Sequence, residues 1–271
     1  MEKKRAIWLG FALLLIAVGL SWYISRSREP TYQGKPLTYW LELLNTDDGR
    51  LVDPADNSAR EAEHAVQAIG TNAIPTLLEM LQKKDSPLKS GLIALSTKEH
   101  FLHINIFPDS YYHALAFDGF GALGTNGRQA VPALLKIFRS SDQRPGAAMC
   151  LRLIGPAAES AVAALVHSLA VDTNYADKLY IISALGDIHA HPEMAVPALT
   201  NCLADSNKMV RDFAIMALGN FGTNAAQAIP ILETKLNDND PETRQEVLKS
   251  LKQIDPQIAN QFQTNHAASP R

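Results

Sequence analysis

The sequence predicts an all-α fold: a right-handed α-solenoid of about five to six helix pairs, preceded by one N-terminal transmembrane helix. Three observations predict it. A 17-residue phrase is stated twice, as AFDGFGALGTNGRQAVP from Ala116 to Pro132 and as AIMALGNFGTNAAQAIP from Ala214 to Pro230. The position held by Gly222 recurs along the chain at Gly70, Gly124, Gly155, His189, Gly222 and Asp255, in steps of 54, 31, 34, 33 and 33 residues. A near-constant period of that length marks stacked helical units. The third observation is a run of 19 residues without a charge, Ala6 to Ile24, near the N-terminus.

In chain order, residues 1–5 are a basic N-terminus and residues 6–24 are a transmembrane helix or signal anchor. At about 1.5 Å per residue, a helix of that run crosses a bilayer core. Trp8 at one end and Trp22 with Tyr23 at the other suit the two interfaces. A cleaved signal peptide is the rival reading, but Gly19 and Ser21 beside Trp22 make a poor cleavage site. Lys3, Lys4 and Arg5 precede the run while Arg26 and Arg28 follow it. The positive-inside rule therefore favours a cytoplasmic N-terminus, with the rest of the chain across the membrane.

Residues 25–57 read as a stalk, a capping helix and a loop. Pro36 opens the helix, PLTYWLELLN, and Leu37, Trp40, Leu41 and Leu44 form its apolar stripe. The repeat domain spans 58–255, with an insertion at about 85–113, and 256–271 is a polar C-terminal tail. Each unit reads as two antiparallel helices. The first ends near small residues such as Ala217 and Gly219, which permit close helix approach. The second starts at an apolar-Pro step, at Pro75, Pro132, Pro197 and Pro230, where the ring pre-sets the first turn. No unit buries its apolar face alone, so the units fold as one block.

The pattern AIMALGNFGTNAAQAIPILETKL, followed by Asp238 and then Arg244, resembles the HEAT repeat, in the bacterial HEAT-like type also found in phycobilisome lyase subunits. The resemblance covers roughly residues 58–255 and implies the fold of a helical array; a stacked array of this kind is a binding surface more often than a catalytic pocket. The stretch TYQGKPLTYWLELLN is similar to a juxtamembrane segment of bacterial membrane-anchored HEAT proteins. Together with the apolar run, this implies a single-pass protein of the bacterial inner membrane whose repeats lie outside the cytoplasm.

Charge and chemistry narrow the function. A net charge of -3 supplies no footprint for nucleic acid. Cys150 and Cys202 lie in separate units and read as buried free thiols. Paired His-Glu dipeptides, which carry iron in deoxyhypusine hydroxylase, do not occur: Glu63-His64 and Glu99-His100 have the reverse order. His100, His103, His113 and Asp109 form too weak a pattern for a metal site. No cofactor and no catalytic residue is expected. The alternative reading is a metal-dependent or chromophore-handling enzyme, hydroxylase-like or lyase-like, on the same array.

Asp172, Asp205 and Asp238 recur every 33 residues, each followed six positions later by a base, Lys178, Arg211 or Arg244, with Arg144 in the same register. These charges read as a ladder that caps helices and pairs neighbours. Partner-binding residues are sought elsewhere. One candidate set is the row Glu79, Lys136, His167, Asn201 and Thr234 on the second helices. The other is Phe101, Phe107, Tyr111 and Tyr112 in the insertion. A long insertion in a compact array is often functional. The expected function is a membrane-tethered scaffold or adaptor that binds a protein or peptide through these surfaces.

Overall fold

The computed structural model describes residues 29–45, 57–87, 89–90, 107–172 and 174–257. The apolar run 6–24, and with it the expected membrane anchor, lies outside the described residues. Within them the chain is an array of helix pairs. A short antiparallel hairpin, β1 (Thr31–Tyr32) and β2 (Lys35–Pro36), leads into α1 (Leu37–Leu44). Five pairs follow: α2 (Ser58–Ile69) with α3 (Ile74–Leu81), α4 (Asp109–Leu123) with α5 (Val131–Arg139), and α6 (Arg144–Ile154) with α7 (Val162–Val171). Then come α8 (Tyr175–Ile188) with α9 (Pro192–Cys202) and α10 (Lys208–Asn220) with α11 (Ile229–Lys235). The helix α12 (Pro241–Ile254) is the first helix of a sixth unit.

The first helices form one layer, each packed on the next from α4 through α12, and the second helices form the other. One core runs between the layers. It includes Leu37, Trp40 and Leu41 of α1, which packs on α2 and α4. Cys150 and Cys202 are both buried in it as free thiols. Burial pushes the Cys202 thiol up to about 11 and the Cys150 thiol further, so both are protonated and unreactive near neutral pH.

The period marker has a conformational cause. Gly70, Gly124, Gly155 and Gly222 end their first helices at φ of 60°, 48°, 66° and 54°, a region costly for any residue with a Cβ. From there a 3₁₀ turn leads to the second helix. His189 stands at this position in the fourth unit, and it adopts the left-handed helical conformation instead, at φ 36° and ψ 33°. The turn that follows is therefore different. His191 is also left-handed, and α9 starts early, at Pro192. This corrects the prediction for Pro197, which lies inside α9 and does not open it.

The stretch Arg144–Val171 is long and apolar enough, by length and composition, to cross a membrane. It is the α6/α7 pair. Gly155 turns the chain between them, and Leu151, Ile154, Val162 and Leu165 are fully or almost fully buried in the common core.

Candidate partner-binding surfaces

The structure places Glu79, Lys136, His167, Asn201 and Thr234 at exposed positions of α3, α5, α7, α9 and α11, one per unit. They form a solvent-facing series. Thr234 turns its hydroxyl back to the Ile231 carbonyl at 2.7 Å.

In the insertion, Phe101, His100 and His103 lie outside the described residues. The predicted boundary at 113 needs correcting, because α4 already begins at Asp109 and Pro108 is its N-cap. Tyr111 and Tyr112 thus belong to a helix and pack partly against the core. The Tyr111 hydroxyl donates to Glu42 of α1 at 2.9 Å, and the Lys83 ammonium sits 3.5 Å from the Tyr112 ring centroid. Phe107 stacks on Tyr111 at 4.2 Å yet stays 40% exposed. Lys89 bridges Asp85 at 2.6 Å and Asp109 at 3.1 Å, which joins the two ends of the insertion. His113 contacts the Lys83 carbonyl at 3.1 Å. Among the described residues no group of His, Cys, Asp and Glu is arranged to hold a metal.

A third surface was not read from the sequence. On the first-helix layer, Leu44, Phe117, Met149 and Leu153 wall an open cleft of about 390 Å³, with Glu63, Asp118 and Arg152 around it. Arg152 is held by Asp187 of the next unit at 2.7 Å, and Asn220 donates to the same carboxylate at 3.3 Å. The same face continues toward the C-terminus with Tyr180, 40% exposed, and Met216, 42% exposed. One signal pointed here: the position six before the period marker reads Asp118, Met149, Ser183 and Met216, as variable as the second-helix row.

The charge ladder does structural work, in two forms. Arg144 reaches forward to Asp172 at 2.6 Å, and Lys178 to Asp205 at 2.7 Å. Arg211 and Arg244 instead fold back onto loop carbonyls, those of Asp205 and Asp238, at 2.9 and 2.7 Å. Asp172, Asp205 and Asp238 each accept the backbone N–H two residues on. The residues at those positions, Asn174, Asn207 and Asp240, cap α8, α10 and α12. The sequence assigns the capping to the ladder itself; the N-caps are instead the residues two positions on, a role the Asp-x-Asn/Asp spacing signals.

Lys178 and then the Asn207 amide hold the Asp205 carboxyl below the ordinary range. Lys208 and the Glu242 amide do the same for Asp240. A carboxyl depressed in the folded state contributes stability above its unfolded value, about 3.9, and that stability is lost as pH falls through the folded value. The wild-type melting temperature should therefore drop on acidification below about pH 4. Thermal melts across pH should show a shallower drop for Asp205→Asn and for Asp240→Asn, which retains a capping side chain.

The fold and its surfaces define a two-layered helical-repeat array. Residues 162–252 match the family model of HEAT repeats. No curated protein matches the chain. Among solved structures, the chain is similar to an engineered protein at 20% identity and a TM-score of 0.46, covering 81% of this chain and 96% of that one. It is also similar to the complex of CpcE and CpcF of phycocyanin lyase from Nostoc sp. PCC7120, at 21% identity and a TM-score of 0.41, covering 83% of this chain and 80% of that one.

Proposed function

We propose that this protein is a membrane-tethered repeat scaffold that binds a protein or peptide partner and performs no catalysis. The observation that carries the reading is the cleft on the first-helix layer and its apolar continuation. Phe117, Met149, Leu153, Tyr180 and Met216 come from four successive first helices and remain partly or largely exposed. A helical array that leaves such a row uncovered offers it to another chain. The partner segment brings apolar side chains to the cleft and a basic group to Glu63, since Arg152 is already neutralised by Asp187. The tether is the run 6–24, and the array lies outside the cytoplasmic membrane of a bacterium.

Photo-crosslinking in membranes tests the binding reading. A photoreactive residue at Met216 should trap one reproducible partner, and Met149→Glu should cut the yield at least about tenfold, the equivalent of about 1.4 kcal/mol. Yield unchanged by Met149→Glu would remove the cleft from the reading. A reporter fused to the C-terminus, active only outside the cytoplasm, tests the orientation.

A further inference from the structure

The junctions between units lie along a single edge of the array. Lys84 pairs with Asp142, Arg144 with Asp172, Lys178 with Asp205 and Lys208 with Asp240. Each pair ties one junction to the next, from the α3/α4 connection to the start of α12. Four of the six most exposed large apolar residues among those described sit on this edge: Phe107 at 40%, Val171 at 64%, Tyr175 at 54% and Met209 at 50%. The opposite edge, built from the turns at the period marker, presents polar residues such as Thr71, Thr125, Asn126, Glu159, Thr223 and Asn224 to solvent. The two edges of one repeat architecture thus differ sharply in character.

The junction edge is also where the described chain begins. Glu29 accepts hydrogen bonds from the Thr38 amide and hydroxyl at the start of α1. It lies near the Lys83 ammonium: burial lowers the affinity of Lys83 for its proton, while Glu79 and Glu29 act against that. Lys83 in turn covers Tyr112 at the α3/α4 junction. The apolar run ends at Ile24, five peptide steps before Glu29. Fully extended, five residues reach about 18 Å. If the run spans the bilayer, this corner of the array cannot stand further than that from its end.

We infer that the junction edge rests against the bilayer surface, with Phe107, Val171, Tyr175 and Met209 at the lipid interface and the polar turn edge facing away. The inference rests on the membrane-tether reading above. Aromatic rings and mixed apolar and cationic side chains suit the headgroup region, where Lys84 and Lys208 can keep their charge in water. The first-helix cleft then opens sideways and stays available to a partner in the adjoining leaflet or in solution.

The test uses the full chain reconstituted in phosphatidylethanolamine and phosphatidylglycerol vesicles carrying brominated acyl chains. A fluorophore is attached at Phe107→Cys, Tyr175→Cys or Met209→Cys, and at Thr125→Cys or Thr223→Cys on the other edge. The buried native thiols react slowly, and labelled wild type supplies the background. Quenching by brominated lipid should be at least twofold greater for the junction-edge labels. Equal quenching on both edges, in a chain that resists carbonate extraction, would overturn the orientation and leave the tether standing. A chain released by carbonate would overturn the tether and the orientation together.

Discussion

Phe120→Ala should lower the stability of the folded chain by about 3–5 kcal/mol, the largest single effect expected from any one side chain. Phe120 is fully buried and heads the large side chains of the core. It lies against the turn that follows its own helix: a Cβ on Gly127 would stand 3.6 Å from its ring and 2.9 Å from Ile154. Ile154 is the side chain that leaves no room for a Cβ at this position, and the twin phrase differs here. Where one copy has Phe120 and Gly127, the other has Leu218 and Ala225. Truncating Phe120 leaves a cavity that neither Gly127 nor Ile154 is long enough to fill. Its unit joins α1 to α3 with the rest of the array, and stability in such arrays is carried by neighbour interfaces. Urea denaturation followed by circular dichroism should therefore show two separated transitions. Gly127→Ala alone should also destabilise, because its Cβ would press on Ile154 Cγ1 at 2.9 Å. A loss below about 1.5 kcal/mol for Phe120→Ala would mean the core closes over the gap. The half-exposed Met216→Ala, in contrast, should change stability by about 0.5 kcal/mol or less.

The repeat was legible because its cause is local. Small residues must recur wherever first helices touch, and a residue free to take positive φ must recur wherever the chain turns, so the sequence shows the period directly. His189 breaks that rule, and the displaced start of α9 at Pro192 is the structural cost. The hairpin before α1 was missed because its signal is a single pair, Gln33 and Gly34, at φ 50° and 74°. The insertion hides where the period resumes, so the sequence places Tyr111 and Tyr112 within it and does not show that α4 already begins at Asp109. The cleft had no local signature at all. Its walls come from α1, α2, α4 and α6, and from Leu44 to Leu153 the contributing residues are spread over four segments. Only the variability of the outward position in each first helix pointed to that face, and variability does not say which side chains meet.

Close approach of the first helices leads to the second large effect. Gly186 of α8 faces Ala217 of α10 so closely that an added Cβ would lie 2.9 Å from the Ala217 Cβ and 3.0 Å from its Cα. Neither atom can rotate away. Gly186→Leu should therefore force α8 and α10 apart and cost about 3 kcal/mol, the upper part of the range for overpacking. The better helix propensity of leucine recovers under about 1 kcal/mol and cannot offset it. Separation of the two helices would also weaken the grip of Asn220 on Asp187, which borders the first-helix face. Gly121 of α4 is the control. A Cβ there meets only Leu153 Cδ2, at an ordinary 3.7 Å, and the position is exposed. Gly121→Ala should raise stability by about 0.5–1 kcal/mol through helix propensity and reduced freedom of the unfolded chain. Opposite signs at two glycines of the same helical layer, read by urea denaturation, would show that contact distance between units, and not glycine itself, sets the spacing of the array. The same sign at both would separate that spacing from the Gly186–Ala217 contact.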